Sequence, residues 1–462
     1  MTIWPPKKDA LKRPAYRSLA QCLIDAIAAG EVRPGQRLPT HRALAFDLGV
    51  SVQTVSRAYD ELGRLGVISG EIGRGSFVRS GRPDARMPWH RLGGAEDVID
   101  CSMLVPVTGD IHSEAMSATF DALAHDLPQS AILSFRPRAT LEGHCGAALD
   151  WLAGCGVVVP RDQVLPTNGN TAAMTVALMT AARPGDLVLT EELGHHTLKS
   201  LANALGLRIS GLPVDGEGIV PDAFERACRA SVVKVLFVLP TGLGPTAAMM
   251  GTDRRRALVE IARRHDVMIV ENDAWGPVQP DRPDPIFAIA PERTFYFTGL
   301  TKCLLPGLRI AWLVPPETMV SAARTRHLVT NWMATPLMAE IATRWLDDGT
   351  ADTLLAWQKK HLARRNKIAA RTLHGLSWRG SPNGMHVWLT LPEPWREDAF
   401  VTHARNDGVA VAAGNNFAVS GDPQDAAIRI CLGAGSEEDL ERGLSVVARL
   451  VRSSPEPALL AI

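Results

Sequence analysis

The chain lacks a net charge, a cysteine pairing pattern and any long apolar run. Across 462 residues, 49 lysines and arginines meet 49 aspartates and glutamates, so the total alone argues against a polyanionic partner. Seven cysteines, at 22, 101, 145, 155, 228, 303 and 431, are odd in number and never spaced C-x-x-C. That suits reduced thiols better than a disulfide framework or a zinc site. No stretch approaches the roughly 18 apolar residues of a membrane helix. The first thirty residues, interrupted by Lys7, Lys8, Gln21 and Asp25, have no signal-peptide pattern, so a soluble cytoplasmic protein is expected. Internal repeats and low-complexity tracts are absent too. What is present is an ordinary globular composition, 46% hydrophobic and 21% charged, on a chain long enough for two to four domains of roughly 100–200 residues.

The neutral total hides two opposed parts. Residues 1–90 hold 14 basic groups against 8 acidic ones, a surplus of six that the remainder cancels. The Gly-, Pro- and Arg-rich stretch from Ser80 to Gly94 reads as a linker. The expected division is therefore a head at 1–79, a linker at 80–98 and a body at 99–462. In the head, Leu19, Leu23, Ile24 and Ile27 form a helical stripe within Tyr16–Ala29. Thr40 is placed to cap a short helix ending near Leu48, and Ser51 to cap a third from Val52 to Leu65, with Gly49 at the turn. Helix, glycine turn, helix is the helix-turn-helix pattern. Beyond it, Gly70, Gly73 and Gly75 punctuate a hairpin that would form a wing. Ser51, Gln53, Thr54 and Arg57 fall on the exposed start of the third helix, suited to phosphates or base edges. Arg42 suits a phosphate, and Arg74, at the wing tip, a minor groove. The competing reading is a small helical domain with a solvated basic face.

The segments Y-x-x-L-A (16–20), P-G-Q-R-L-P-T (34–40), L-G-V-S-x-x-T-V-x-R-A-Y (48–59) and G-x-G-x-F-V (73–78) resemble the GntR family of winged-helix transcription regulators. The resemblance implies double-stranded DNA as partner. One departure stands at Val52, where relatives often carry arginine, so their sequence preference does not carry over.

The body alternates short apolar runs, such as Val232–Leu239 and Val267–Val270, with helical stretches, which means α/β units around a mostly parallel sheet. Ligands in such sheets sit beyond the carboxyl ends of the strands, and three features fall there. T-N-G-N-T-A-A-M (167–174) offers a glycine and a helix start to an anion. V-E-N-D-A-W-G (270–276) is an acidic cluster in which Asp273 is either a helix cap or a functional carboxylate. In Y-F-T-G-L-T-K-C-L-L-P-G-L-R (296–309), Lys302 lies among Leu300, Cys303 and Leu304. A desolvated lysine has a lowered pKa and becomes a Schiff-base nucleophile.

This order resembles the fold type I pyridoxal-phosphate (PLP) enzymes of the aspartate aminotransferase class. The resemblance implies Lys302 for the aldehyde, Asp273 for the pyridine nitrogen, and Gly169, Asn170, Thr171, Thr298, Thr301 and Arg309 around the phosphate. It places His195 where a tyrosine stacks on the ring and Trp275 where a tyrosine follows the acid. His195 with His196 as a metal pair is the rival, with no third ligand nearby. Arg429 falls where aminotransferases bind a substrate carboxylate, against a rim charge or phosphate contact as alternatives. Three further departures are noted: Gly244 where an asparagine meets the PLP O3′, Gly299 where a hydroxyl often meets the phosphate, and Thr197 where some relatives bind a second acidic group.

A GntR-like head on such a body is similar to the MocR family of bacterial regulators, along nearly the whole chain. The family reading implies a homodimeric transcription regulator that senses an amino compound as an imine with PLP. Candidate compounds are an ectoine-derived diamino acid, taurine or another amino acid. It also implies a large subdomain at about 99–325, a small one at about 326–462, and weak or no transamination. The alternatives are an active aminotransferase with an appended DNA-binding domain, and a DNA-binding scaffold that has lost PLP.

Overall fold

A computed structural model describes the chain except residues 1–4, 6–10, 12–13, 29–30, 34, 65–66, 72–74, 79–97, 134, 280, 421–424, 434 and 454–462. It falls into two compact units, Met1–Gly94 and Ala95–Ile462.

In the first unit three helices, α1 (Ala15–Ala28), α2 (His41–Leu48) and α3 (Val52–Arg64), precede a two-stranded antiparallel hairpin of β1 (Ile68–Glu71) and β2 (Gly75–Val78). Leu19, Leu23, Leu44, Leu48, Val55 and Leu62 bury one face of each helix in a common core. Thr40 Oγ1 accepts the Ala43 N–H at 3.3 Å and opens α2, and Gly49, at φ 61°, closes it in the left-handed region. Thr40→Ala should cost this unit about 1 kcal/mol, read as a lower urea midpoint for its own unfolding step in the intact chain.

The second unit is built on a seven-stranded sheet. Its strands are β3 (Leu165–Thr167), β4 (Leu187–Glu191), β5 (Arg208–Leu212), β6 (Val233–Val238), β7 (Met268–Asn272), β8 (Thr294–Gly299) and β9 (Ala311–Val314), in the order β3-β9-β8-β7-β6-β4-β5. Only β9 runs antiparallel to its neighbours. Leu-, Val- and Phe-rich runs such as β6, VKVLFV, are buried on both faces because helices cover both sides, as a parallel sheet requires. Helix α4 (Asn170–Ala181) follows β3, and the short helix α5 (Leu300–Cys303) follows β8. Both begin at the same end of the sheet, where β7 stops at Asn272. A second core surrounds the four antiparallel strands β10 (Trp378–Arg379), β11 (His386–Thr390), β12 (Ala412–Ala413) and β13 (Ala427–Cys431), ordered β10-β11-β13-β12.

The subdomain boundary differs from the one expected near residue 325. That position lies inside the helix Val320–Asn331, and the core of the large sheet continues through Trp345, Leu354 and Leu362. Conversely, Ile99–Asp100 pairs in parallel with Val409–Ala410, and Cys101 belongs to the smaller core. The division runs through the long helix Thr350–Thr372 instead, because the apolar face of its first half still packs on the large sheet.

Candidate cofactor and effector site

At the carboxyl end of the sheet a cavity is lined by Asn170, Thr171, His195, Asn272, Ala274, Thr301, Lys302, Arg309 and Arg429, with Leu104 and Phe417 among its apolar walls. The polar members arrive from several strand ends and loops, Asn170 with Thr171 and Thr301 with Lys302 as neighbours, so no single segment of sequence contains the site.

One end is made for an anion. Gly169 adopts φ 79° at the N-cap of α4, leaving the first amides of that helix outside its ladder. A Cβ on Gly169 would lie 3.0 Å from Arg309 Nη2, so the missing side chain is what admits the guanidinium. Asn170 Oδ1 and Thr301 Oγ1 are buried with no partner among the described residues, although both side chains line the cavity. Buried polar atoms are costly unless satisfied. A phosphate would satisfy the threonine hydroxyl and the helix amides and offset the Arg309 charge.

Lys302 stands deeper, its Nζ donating to the Leu104 carbonyl. Burial lowers its ammonium from 10.5 to about 8; Cys431 opposes the shift, and the Arg429 and Arg309 charges add to it. A neutral amine fit to attack an aldehyde is therefore accessible near physiological pH. Arg429 closes the other end. It is 8% exposed, donates from Nη2 to the Ser102 carbonyl at 2.8 Å, lies 4.5 Å over the Phe417 ring and keeps an Nε with no partner among the described residues. Its fork remains suited to a carboxylate. His195 stacks on His196 at 4.6 Å, and its Nδ1 meets Thr197 Oγ1 at 3.0 Å. Burial, then the charges of His196 and Lys302, holds His195 well below its ordinary pKa, so it presents a neutral ring. Among the described residues no group of three or more His, Cys, Asp or Glu side chains could hold a metal.

Three residues expected here stand elsewhere. Asp273 points away from the cavity: its carboxylate accepts Thr241 Oγ1 at 3.0 Å and Tyr296 Oη at 2.6 Å and pairs with Arg282. Asp273 is the first residue beyond β7, and Asn272, the last residue of that strand, takes the cavity side together with Ala274 in the following turn. Trp275, in the turn after β7, does not line the cavity either. It is fully buried, edge-on to His386 at 5.7 Å, with its indole N–H unpartnered among the described residues. Thr298 lies against Gly276, whose Cβ would come 3.1 Å from Thr298 Oγ1, and does not line the cavity. Gly299 has no room for any side chain, since a Cβ would sit 2.7 Å from the Ile310 carbonyl. Among the pocket residues missed by the sequence reading are Asn272, Ala274, Leu104 and Phe417; the place of Asn272 at the carboxyl end of a buried strand is the signal that could have found it.

In the N-terminal unit, Arg42, Ser51, Gln53 and Arg57 are exposed and Thr54 is half-buried. Ser51 Oγ accepts the Thr54 N–H at 3.1 Å and meets Thr54 Oγ1 at 2.8 Å, so both hydroxyls are partly engaged in opening α3. Arg57 lies 5.0 Å over the Tyr16 ring, which pre-orders its guanidinium on the helix surface. Arg74 lies outside the described residues.

Comparison with known proteins matches residues 147–447 to the family "Aminotransferase class I and II" and residues 15–78 to "Bacterial regulatory proteins, gntR family". The uncharacterized HTH-type transcriptional regulator YdeF of Bacillus subtilis is 26% identical over 97% of this chain and 96% of its own. The probable rhizopine catabolism regulatory protein MocR of Rhizobium meliloti is 27% identical over 77% of this chain and 76% of its own. The crystal structure of Pyrococcus horikoshii kynurenine aminotransferase superposes with a TM-score of 0.71 at 22% identity, covering 78% of this chain and 91% of that one. That last likeness carries the fold alone.

Proposed function

The chain belongs to the aminotransferase class I and II family, with a GntR-type domain at its N-terminus, and from that premise we propose a cytoplasmic transcription regulator gated by an amino compound. The head binds a double-stranded operator through Arg42, Ser51, Gln53, Thr54 and Arg57. The body holds PLP, with Gly169, Asn170, Thr171, Thr301 and Arg309 around the phosphate, His195 against the ring and Lys302 at the aldehyde. When bound, PLP supplies an electrophilic carbon that amines attack reversibly. The observation that carries the reading is the meeting of a lysine with a pKa of about 8, an anion cradle and Arg429 in one cavity.

The ligand class follows from the two ends of the site. An amine competes with Lys302 while its carboxylate takes the Arg429 fork, which favours amino acids or diamino acids, an ectoine-derived one included, over taurine with its larger sulfonate. Ligand and Lys302 cannot both hold the aldehyde, so arrival frees the lysine and changes the contacts at Leu104 and Ser102. That difference between two states is what a switch needs. A homodimer fits an apolar patch formed by Leu133, Phe135, Val329 and Trp332, exposed at 71%, 81%, 78% and 48%. Trp332 Nε1 donates to the Phe135 carbonyl at 3.2 Å and ties its two segments together. Large contiguous apolar patches are uncommon on free surfaces.

The test is a titration. Purified protein with PLP should show a visible Schiff-base absorption band, candidate amines should shift it, and the same amines should change affinity for DNA selected from a random pool. A colourless protein after PLP addition defeats the reading. Arg429→Ala should weaken a carboxylate-bearing amine by about 2 kcal/mol or more, roughly 30-fold, and leave a simple alkylamine unaffected in the same spectral titration. Arg57→Ala should cost DNA binding about 1–3 kcal/mol without moving the band.

A further inference from the structure

Among the residues that line the cavity there is no aspartate or glutamate. The charged members are Lys302, Arg309 and Arg429, and the histidines are His195 and His196. The acid that the sequence offers, Asp273, faces the other way and is committed to Arg282, Tyr296 and Thr241. In its place β7 presents Asn272, 1% exposed.

The orientation of that amide is fixed by a bond that allows one assignment. Asn272 Oδ1 accepts the backbone N–H of Ala274 at 3.2 Å. A backbone N–H can only donate, so the oxygen is the atom engaged there and the Nδ2 amine is the atom left for the cavity. An amide nitrogen donates hydrogen bonds and takes up no proton at neutral pH. A pyridine nitrogen beside a carboxylate is held protonated. Beside an amide donor, and in the field of the Arg309 and Arg429 guanidinium groups, the same nitrogen is held as a free base.

Building on the proposed function, we propose that Asn272 keeps the ring nitrogen of bound PLP unprotonated, making this domain a reversible amine receptor rather than a transaminase. Receptor chemistry requires no protonated ring. The nitrogen of an incoming neutral amine forms a C=N bond to the aldehyde carbon as the bond from that carbon to Lys302 Nζ breaks. The two hydrogens of the incoming amine end on Nζ, and nothing is oxidised or reduced. Transamination, in contrast, must draw the electron pair of a broken C–H bond into the ring, and an unprotonated pyridine is a poor sink for it. The same residue therefore admits ligand exchange and blocks ligand consumption, as a sensor of ligand concentration requires.

Full-length protein loaded with PLP labelled with nitrogen-15 in the ring tests this directly. The nitrogen resonance of the wild type should lie at the free-pyridine end of its range throughout neutral pH, and Asn272→Asp should move it to the pyridinium end. A pyridinium resonance in the wild type overturns the inference, whatever the variant does. As a second readout, conversion of bound PLP to pyridoxamine phosphate by an amino acid that shifts the band should be at least about 100-fold faster in Asn272→Asp. Equal rates in a variant that shows the pyridinium resonance also overturn it. Borohydride reduction followed by mass measurement separates the two levels: failure to find PLP fixed to Lys302 sinks the proposed function itself, whereas an adduct with a protonated ring sinks only the role of Asn272.

Discussion

Asp273→Ala is expected to destabilise the body of the protein by about 3–5 kcal/mol, the range for removing one partner of a buried ion pair. Arg282 is 8% exposed at its side chain and, among the described residues, otherwise donates only to the Cys155 carbonyl at 2.7 Å. Burial works to lower its pKa, and the Asp273 carboxylate, together with Tyr296 and Cys155, overrides that and raises it. Without the carboxylate the guanidinium stays charged and buried with too few acceptors. The hydroxyls of Tyr296 and Thr241 lose their acceptor in the same stroke. A urea-unfolding midpoint measured on the step that belongs to the larger unit reads the loss. The double variant Asp273→Ala/Arg282→Met should recover most of it, since an apolar replacement of both partners removes the stranded charge. If Asp273 instead addressed the cofactor, the single variant would leave the PLP-free protein near wild-type stability and change the spectrum, and the double variant would recover nothing.

That contrast shows where the sequence was informative. The capped helices of the head were legible because their signals are local: Thr40 and Ala43 are three residues apart, and Gly49 follows α2 directly. Lys302, Arg309 and the α4 entry were legible for a similar reason, since turn glycines and a lysine among apolar residues mark a strand end without knowledge of its neighbours. The acid was misplaced because E-N-D-A-W offers three consecutive polar residues at a strand end, and choosing by residue type favours an acid over Asn272. The deciding information is the partners of Asp273, at 241, 282 and 296, which the chain brings together only once the sheet has formed. Leu104 and Phe417 were invisible for the same reason. They are ordinary apolar residues until the loops that carry them meet over Lys302. The buried pair of Arg255 and Glu271 was missed too. Glu271 accepts the N–H groups of Ile286 and Phe287 at 2.9 Å, a role that nothing in the local sequence marks.

Lys302→Met should make the cofactor-free protein more stable while removing covalent attachment altogether. The folded protein lowers the Lys302 pKa from 10.5 to about 8, so between those values the unfolded chain binds the extra proton and wild-type stability rises with pH. Below pH 8 the cost of holding the ammonium in the cavity is felt in full, about 3 kcal/mol by linkage. Methionine conserves most of the volume and carries no charge. It strands the Leu104 carbonyl that Lys302 satisfies, which costs about 1 kcal/mol. The net gain at neutral pH is therefore about 2 kcal/mol, and it should fade as pH climbs from about 8 towards 10.5. Added PLP should reverse the ranking. At a concentration about 100 times its Kd, the cofactor stabilises the wild type by about 2.7 kcal/mol, while the variant keeps only what the phosphate cradle provides. A variant no more stable than the wild type at neutral pH would mean that the cavity does not desolvate this amine. The lysine would then be an ordinary cation, and its place at the aldehyde would lose its physical basis.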